Sequence, residues 1–308
     1  MLHRAATIGV LLFTVSPTAI HVDSQERPAF RSGVDVVSLN VTVTGPNNSY
    51  ITDLARGQFV VYEDGIQQEV SFFNRSQLPI SMVLLIDTSA SMENKLRTAQ
   101  QAAVGFASRL RHEDTAEIID FDDRTEILST FTNDFESLSQ AIRQTSAGGS
   151  TSLYNAIYIS LKELRKIRVQ TPDALQRQAI IVLSDGEDTS SLVDFEEVLD
   201  IARRSETSIY SIGLRSQSDV SRLGFREADF VLRQLSKDTG GQAFFPQAVE
   251  ELASIYETIS EELSNQYALG YTSNNPLRDG MWRRVVVRVD RSDAEARTKQ
   301  GYYAPAID

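Results

Sequence analysis

Residues 82–91 read MVLLIDTSAS. Met82 to Ile86 is a continuous apolar run with no alternation, which suits a strand buried on both faces, as in a parallel sheet. The run stops at Asp87. Asp87, Ser89 and Ser91 then place three oxygen-bearing side chains at alternate positions directly after it. A helical pattern follows, with Leu96, Ala99, Ala103, Phe106 and Leu110 on one face. Strand, polar loop and helix in this order predict the first half of a β-α-β unit.

The same alternation continues downstream. Ala116 to Phe121 predicts a strand, paired with Thr125 to Leu128 through the Asp122-Asp123 turn. A helix from about Asp134 leads to the Gly148-Gly149 break, and Tyr154, Ile157, Leu161 and Leu164 mark another. Ala179 to Leu183 is a second continuous apolar strand, ending at Ser184-Asp185-Gly186. Helix 194–204 leads to strand 208–212, helix 230–237 to a short strand at 242–245, and helix 249–266 closes the series. Strands alternating with helices predict right-handed crossovers and an α/β fold: a doubly wound, mostly parallel sheet with helices on both faces.

On either side the pattern is purely β. Residues 34–43, VDVVSLNVTV, alternate and are rich in β-branched residues. Phe59 to Glu63 is a further strand, Asp64-Gly65 is a hairpin signal, and Gln68 to Phe73 is the expected return strand. After Gln266, Tyr267 to Tyr271, Arg283 to Val289 and Lys299 to Tyr303 are candidate strands. Neither flank has enough strands to be stable alone. We therefore expect β segments at 30–76 and 267–305 to pack together as one small discontinuous β domain around an α/β domain at 80–264.

At the amino terminus His3 and Arg4 precede an apolar run from Ala5 to Val15, followed by Ser16, Pro17, Thr18 and Ala19. This reads as a secretory signal within residues 1–25. The run is shorter than the roughly 20 residues that span a bilayer, and no later segment reads as a membrane span. The expected location is outside the cytoplasm: secreted, periplasmic or in the cell envelope. The formal net charge of -12 argues against nucleic acid or an anionic membrane as partner, since both need a positive surface. The chain has no cysteine, which excludes disulfides, thiolate metal sites and a cysteine nucleophile.

Three segments carry the chemistry: Asp87-Thr88-Ser89-Ala90-Ser91, Gly148-Gly149-Ser150-Thr151-Ser152-Leu153, and Ser184-Asp185-Gly186-Glu187-Asp188. In an open α/β sheet the loops at the carboxyl ends of the strands converge on one crevice. Together they would bring hydroxyl and carboxylate oxygens, which suit magnesium, manganese or calcium rather than zinc or copper. Taken singly, each has a plainer reading. The Asp-x-Ser-x-Ser run fits a helix N-cap, the Gly-Gly-Ser-Thr run a flexible loop with a Thr cap, and Asp185-Gly186 a strand-end turn. Asp120, Asp122 and Asp123 read as a solvated hairpin tip and are left out of the site.

As a set, in this order and after these strands, the segments resemble the metal-ion-dependent adhesion site of von Willebrand factor A domains. The resemblance covers residues 80–264. It implies a divalent ion (Mg2+, or Mn2+ or Ca2+) held by Asp87, Ser89, Ser91, Thr151 and Asp185. Ser89 and Ser91 would bind through their hydroxyls, Thr151 directly when a ligand is present, and Asp87 and Asp185 largely through ordered water. It also implies a protein partner that offers an exposed Asp or Glu to the ion. The flanking stretches FVVYEDGIQQEVSFF, QYALGYT and QGYYAP resemble bacterial secreted proteins related to this family.

An enzyme is the main rival. Asp87-Thr88-Ser89 after a strand is similar to the aspartyl nucleophile of haloacid dehalogenase-type phosphatases, but those carry a second Asp where this chain has Ser89. The three histidines are His3, His21 and His112; the first two lie in or near the signal, and His112 stands beside Glu113 and Asp114. A serine hydrolase needs a base near its nucleophile. We expect no catalysis. A third possibility is a structural adaptor whose metal site is silent.

Overall fold

The computed structural model describes residues 36–75, 78–170, 176–185, 187–214 and 223–306. The expected signal, Val34 and Gly186 lie outside them. Four strands come first: β1 Val36–Thr44, β2 Phe59–Glu63, β3 Ile66–Gln68 and β4 Val70–Asn74. The α/β layer follows as β5 Ile80–Asp87, α1 Leu96–Ala107, β6 Thr115–Phe121, β7 Thr125–Thr132, α2 Phe135–Gln144, α3 Leu153–Gln170 and β8 Arg177–Ser184. It continues with α4 Phe195–Arg204, β9 Thr207–Gly213, α5 Leu223–Thr239, β10 Ala243–Phe244 and α6 Leu252–Ser264. The last strands are β11 Tyr267–Thr272, β12 Trp282–Val289, β13 Glu295–Arg297 and β14 Gly301–Tyr303.

The central sheet has the order β10-β9-β8-β5-β6-β7. Its pairings are parallel except β6 with β7. The unbroken apolar runs of β5 and β8 are explained by burial on both faces. Met82, Leu84 and Ile86 pack with Phe106 of α1, Ile142 of α2 and Ile259 of α6. Val83 and Leu85 point the other way, against Ile157 of α3, Val198 of α4 and Leu235 of α5. Fully burying one such side chain is worth about 1.5–3 kcal/mol, so a polar residue anywhere in either run would be costly.

The flanks pair as expected, because neither could cover its own apolar face. Two four-stranded sheets form, ordered β13-β1-β11-β4 and β14-β12-β2-β3, and each mixes strands from both ends of the chain. Val36 faces Thr272 and Val60 faces Arg288 in the registers. Leu39, Val41, Leu54, Val61, Tyr267, Tyr271 and Val285 fill the space between the sheets. Ala268 of β11 pairs with Asn74 of β4, which brings the two ends of the α/β layer together.

The helix read at 230–237 starts earlier, as α5 Leu223–Thr239, and three further local readings need correction. The return strand expected at Gln68 to Phe73 is two strands: β3 pairs with β2 across Asp64-Gly65, and β4 crosses to the other sheet beside β11. Gln68 and Val70 are both buried on either side of exposed Glu69, so the corner satisfies both sheets at once. The hairpin itself needs positive φ at both turn residues, and Asp64 (48°) and Gly65 (83°) supply it. Next, β7 runs on to Thr132. It is an edge strand whose ladder with β6 shifts register twice, and its polar Ser129, Thr130 and Thr132 mask the alternation. Finally, the helix read at 249–266 is a 3-10 turn, Val249–Glu251, followed by α6. Glu251 turns back to accept the amides of Gln247 and Ala248 at 3.2 and 3.1 Å.

Candidate metal centre

From β5 the chain crosses to β6 on one side of the sheet, and from β8 it crosses to β9 on the other. The direction of winding therefore switches between β5 and β8, which is where open α/β sheets have their crevice. Asp87 is the last residue of β5 and Ser184 the last of β8. Their side chains meet there: the Ser184 hydroxyl donates to Asp87 Oδ2 at 2.6 Å.

The other oxygen of Asp87 organises the next loop. The Ser89 amide donates to Asp87 Oδ1 at 2.8 Å, folding the backbone back over the strand end. A 3-10 turn, Ala90–Met92, then brings Ser91 round so that its hydroxyl lies 2.9 Å from that of Ser89. The Ser91 hydroxyl donates to Asp185 Oδ1 at 2.6 Å. Asp185 Oδ2 carries an ion pair with Lys95. The four residues Asp87, Ser89, Ser91 and Asp185 thus form one connected cluster, and Asp87, Ser89 and Asp185 are buried. Burial pushes the Asp87 carboxyl above the usual carboxylate range. The bonds from Ser184 and Ser89 oppose that shift, and the nearby Asp185 charge adds to it.

Thr151 is brought alongside by backbone contacts. The Gly148 amide donates to Thr88 O at 2.7 Å and the Ala90 amide to Gly149 O at 3.2 Å, which lays this loop against the first. From the other side Thr189 grips Thr151 twice: the Thr151 amide donates to Thr189 Oγ1 at 3.0 Å, and the Thr189 amide donates to Thr151 O at 2.8 Å. Asp188 takes the Tyr154 amide at the start of α3, and Asn155 takes the amides of Leu192 and Val193. Residues 188–193 therefore fix the loop that carries Thr151. Among the described residues the Thr151 hydroxyl makes no direct bond to the other four. Beside it the hydroxyls of Ser152 and Ser190 are buried without a hydrogen-bond partner.

Two features go beyond the sequence reading. Lys95 is one; it stands four residues after Ser91 at the start of α1. The other is the Asp122-Asp123 tip, which does not simply point into solvent. It lies against Gly149, where an added Cβ would sit 2.9 Å from Asp123 Oδ1 and 3.1 Å from Asp122 Oδ2, and φ is +71°. A side chain at 149 would be both strained and crowded. Gly186, which follows Asp185 in the third segment, lies outside the described residues.

Among the described residues the five candidate ligands offer two carboxylates and three hydroxyls, with the Lys95 ammonium beside them and no imidazole or thiol. Among the described residues no three His, Asp or Glu side chains are grouped to hold an ion. An ion here has to draw on the hydroxyls.

Residues 82–187 match the profile of the von Willebrand factor type A domain. A von Willebrand factor type A structure from Catenulispora acidiphila superposes with a TM-score of 0.51 at 13% identity, covering 90% of this chain and 76% of that one. The chain carries a von Willebrand factor type A domain. At such identity the structural likeness is one of fold. The vWF domain of the type V pili tip protein Mfa5 from Porphyromonas gingivalis superposes with a TM-score of 0.48 at 16% identity, over 60% of this chain and 95% of that one. An uncharacterized protein of Borreliella burgdorferi is 24% identical to this chain over 228 residues, 69% of this chain. The match spans 62% of that relative's own length. The matched residues lie within the α/β layer, from β5 to just past β8, and the two antiparallel sheets are built from segments on either side of that layer. No described helix is long and apolar enough to cross a membrane.

Proposed function

We propose that the A domain binds a divalent cation at the β5–β8 crevice and through it captures an exposed Asp or Glu of a protein partner. The observation that carries this reading is the convergence of Asp87, Ser89, Ser91 and Asp185 at the switch point, with the Thr151 loop fastened beside them. The donor set fits the group: hard, compact oxygen ligands favour magnesium, manganese or calcium. Asp87, Ser89, Ser91, Thr151 and Asp185 would hold the ion. Neutral hydroxyls close to a cation leave much of its charge uncompensated, and that charge supplies the attraction for a carboxylate. A chain of net charge -12 otherwise repels acidic surfaces.

Binding rather than catalysis is also supported by what surrounds the crevice. His112, the one histidine among the described residues, precedes β6 at the opposite end of the strands and contacts Asn133. The position two residues after Asp87, where haloacid dehalogenase-type phosphatases carry their second Asp, is Ser89. The amino-terminal signal pattern favours action outside the cytoplasm, in the envelope or beyond it.

The reading is tested by capture of envelope or culture-fluid proteins on the purified chain. Capture should occur with magnesium and fail both in chelator and with Ser89→Ala plus Ser91→Ala, while circular dichroism stays unchanged. A partner held equally well under all three conditions places recognition elsewhere, most directly on the flanking sheets.

A further inference from the structure

Lys95 breaks a local rule. It is the N-cap of α1, where Ser, Thr, Asp or Asn would satisfy free amides, and its side chain makes no capping bond. Its positive charge also sits at the positive end of the helix dipole, which disfavours it. A residue that opposes its own helix is best explained by what its side chain reaches. Here that is Asp185 Oδ2.

The geometry around this pair is specific. Asp185 is enclosed, with 1% of its side chain exposed, and Lys95 enters from the solvent side with 22% exposed. Asp185 Oδ1 is taken by Ser91 and Oδ2 by Lys95, so both of its oxygens are engaged by one turn of chain. The Lys95 backbone is fixed: its amide donates to Met92 O at 2.8 Å and its carbonyl accepts the Ala99 amide at 3.0 Å. Only the four-carbon stem is free to swing. The cluster contains two acids, Asp87 and Asp185, and one ammonium. It is short of positive charge with Lys95 in place and shorter still without it.

We propose that Lys95 is a built-in counter-cation, which holds Asp185 while no divalent ion is present and gives it up when one enters. This rests on the reading of the crevice as a metal site. Metal binding is then an exchange: Lys95 must leave Asp185, and the ion supplies two charges in place of one. Before an ion arrives Lys95 keeps Asp87 and Asp185 from repelling one another unopposed, and by doing so it weakens the apparent affinity for the ion. Its stem is long enough to move to the rim, where it adds one more positive charge beside the incoming carboxylate.

The test is calorimetric titration of the full chain with magnesium and manganese, for wild type, Lys95→Met and Lys95→Arg. Lys95→Met keeps the stem and removes the charge. It should bind magnesium about three- to fivefold more tightly than wild type, the change expected from losing one partly exposed ion pair. Without metal it should melt at a lower temperature. Lys95→Arg should stay near wild type. Unchanged or weaker magnesium binding in a folded Lys95→Met overturns the exchange and leaves the metal site standing. No divalent binding by any of the three overturns both.

Discussion

Two buried acidic clusters of this molecule handle the same problem in different ways. At the seam between α6 and the flanking sheets, Glu262 accepts the Tyr210 hydroxyl at 2.7 Å, the Thr42 hydroxyl at 3.1 Å and the Arg297 guanidinium at 2.5 Å. Gln266 closes the group by donating to Tyr210 and Thr42. One acid meets one rigid cation, and the neighbouring donors are used. At the crevice two acids share hydroxyls and one long lysine. On the function proposed above, the difference separates a structural network from a binding site: the first is charge-balanced, whereas the second has two acids facing one ammonium on a long stem. Glu63 belongs with the first kind, since it takes the hydroxyls of Tyr271, Tyr302 and Ser273 beside Arg283.

Breaking the balanced cluster should have the largest effect on stability. Arg297→Ala leaves Glu262 buried and unpaired, which should cost about 3 kcal/mol in denaturant unfolding. A loss below about 1 kcal/mol would contradict a structural role for the seam. A smaller effect is expected at Glu117, a further buried acid, which has an unpartnered Oε2. Burial pushes its carboxyl up to about 7, with Glu163 adding and Lys166 opposing. The native chain therefore binds this proton more firmly than the unfolded chain. Stability from this group is present at low pH and is lost as pH rises from about 4.5 through 7. Glu117→Gln should flatten that decline and raise stability by about 1–3 kcal/mol at pH 8. A melting curve from pH 5 to 8 that keeps its wild-type slope in the variant would refute the assignment. The smallest effect is expected in the crevice without divalent ions. Ser89→Ala plus Ser91→Ala removes a few hydrogen bonds at a part-open site and should cost only about 1 kcal/mol; a loss comparable to that of Arg297→Ala would make these serines structural.

Much of this was legible in the sequence, for physical reasons. Burial on both faces leaves an unbroken apolar run, so β5 and β8 stood out, and a strand end followed by Asp or Ser marks where the run meets polar atoms. The β-branched alternation of β1 and β12 gave the flanks, and the shortage of strands in each required them to pair. What could not be read depended on contacts distant in sequence. Nothing near Asp122 announces that it rests on Gly149, and nothing near Glu262 names Arg297 or Tyr210 as its partners. The strand corner at Glu69 was hidden because each half alternates correctly for its own sheet. Lys95 did carry a local signal, a cation at the start of a helix close after the Asp-x-Ser-x-Ser run, and the rule it breaks is the clue.

The most direct test of the account is the thermal unfolding of the full chain during a magnesium titration, compared with Asp87→Ala. An ion that binds only the native chain adds about 2.7 kcal/mol at 100 times its dissociation constant. The account predicts a clear, saturating rise in melting temperature for wild type and none for a folded Asp87→Ala. A wild-type melting temperature that stays flat across millimolar magnesium, manganese and calcium would contradict it.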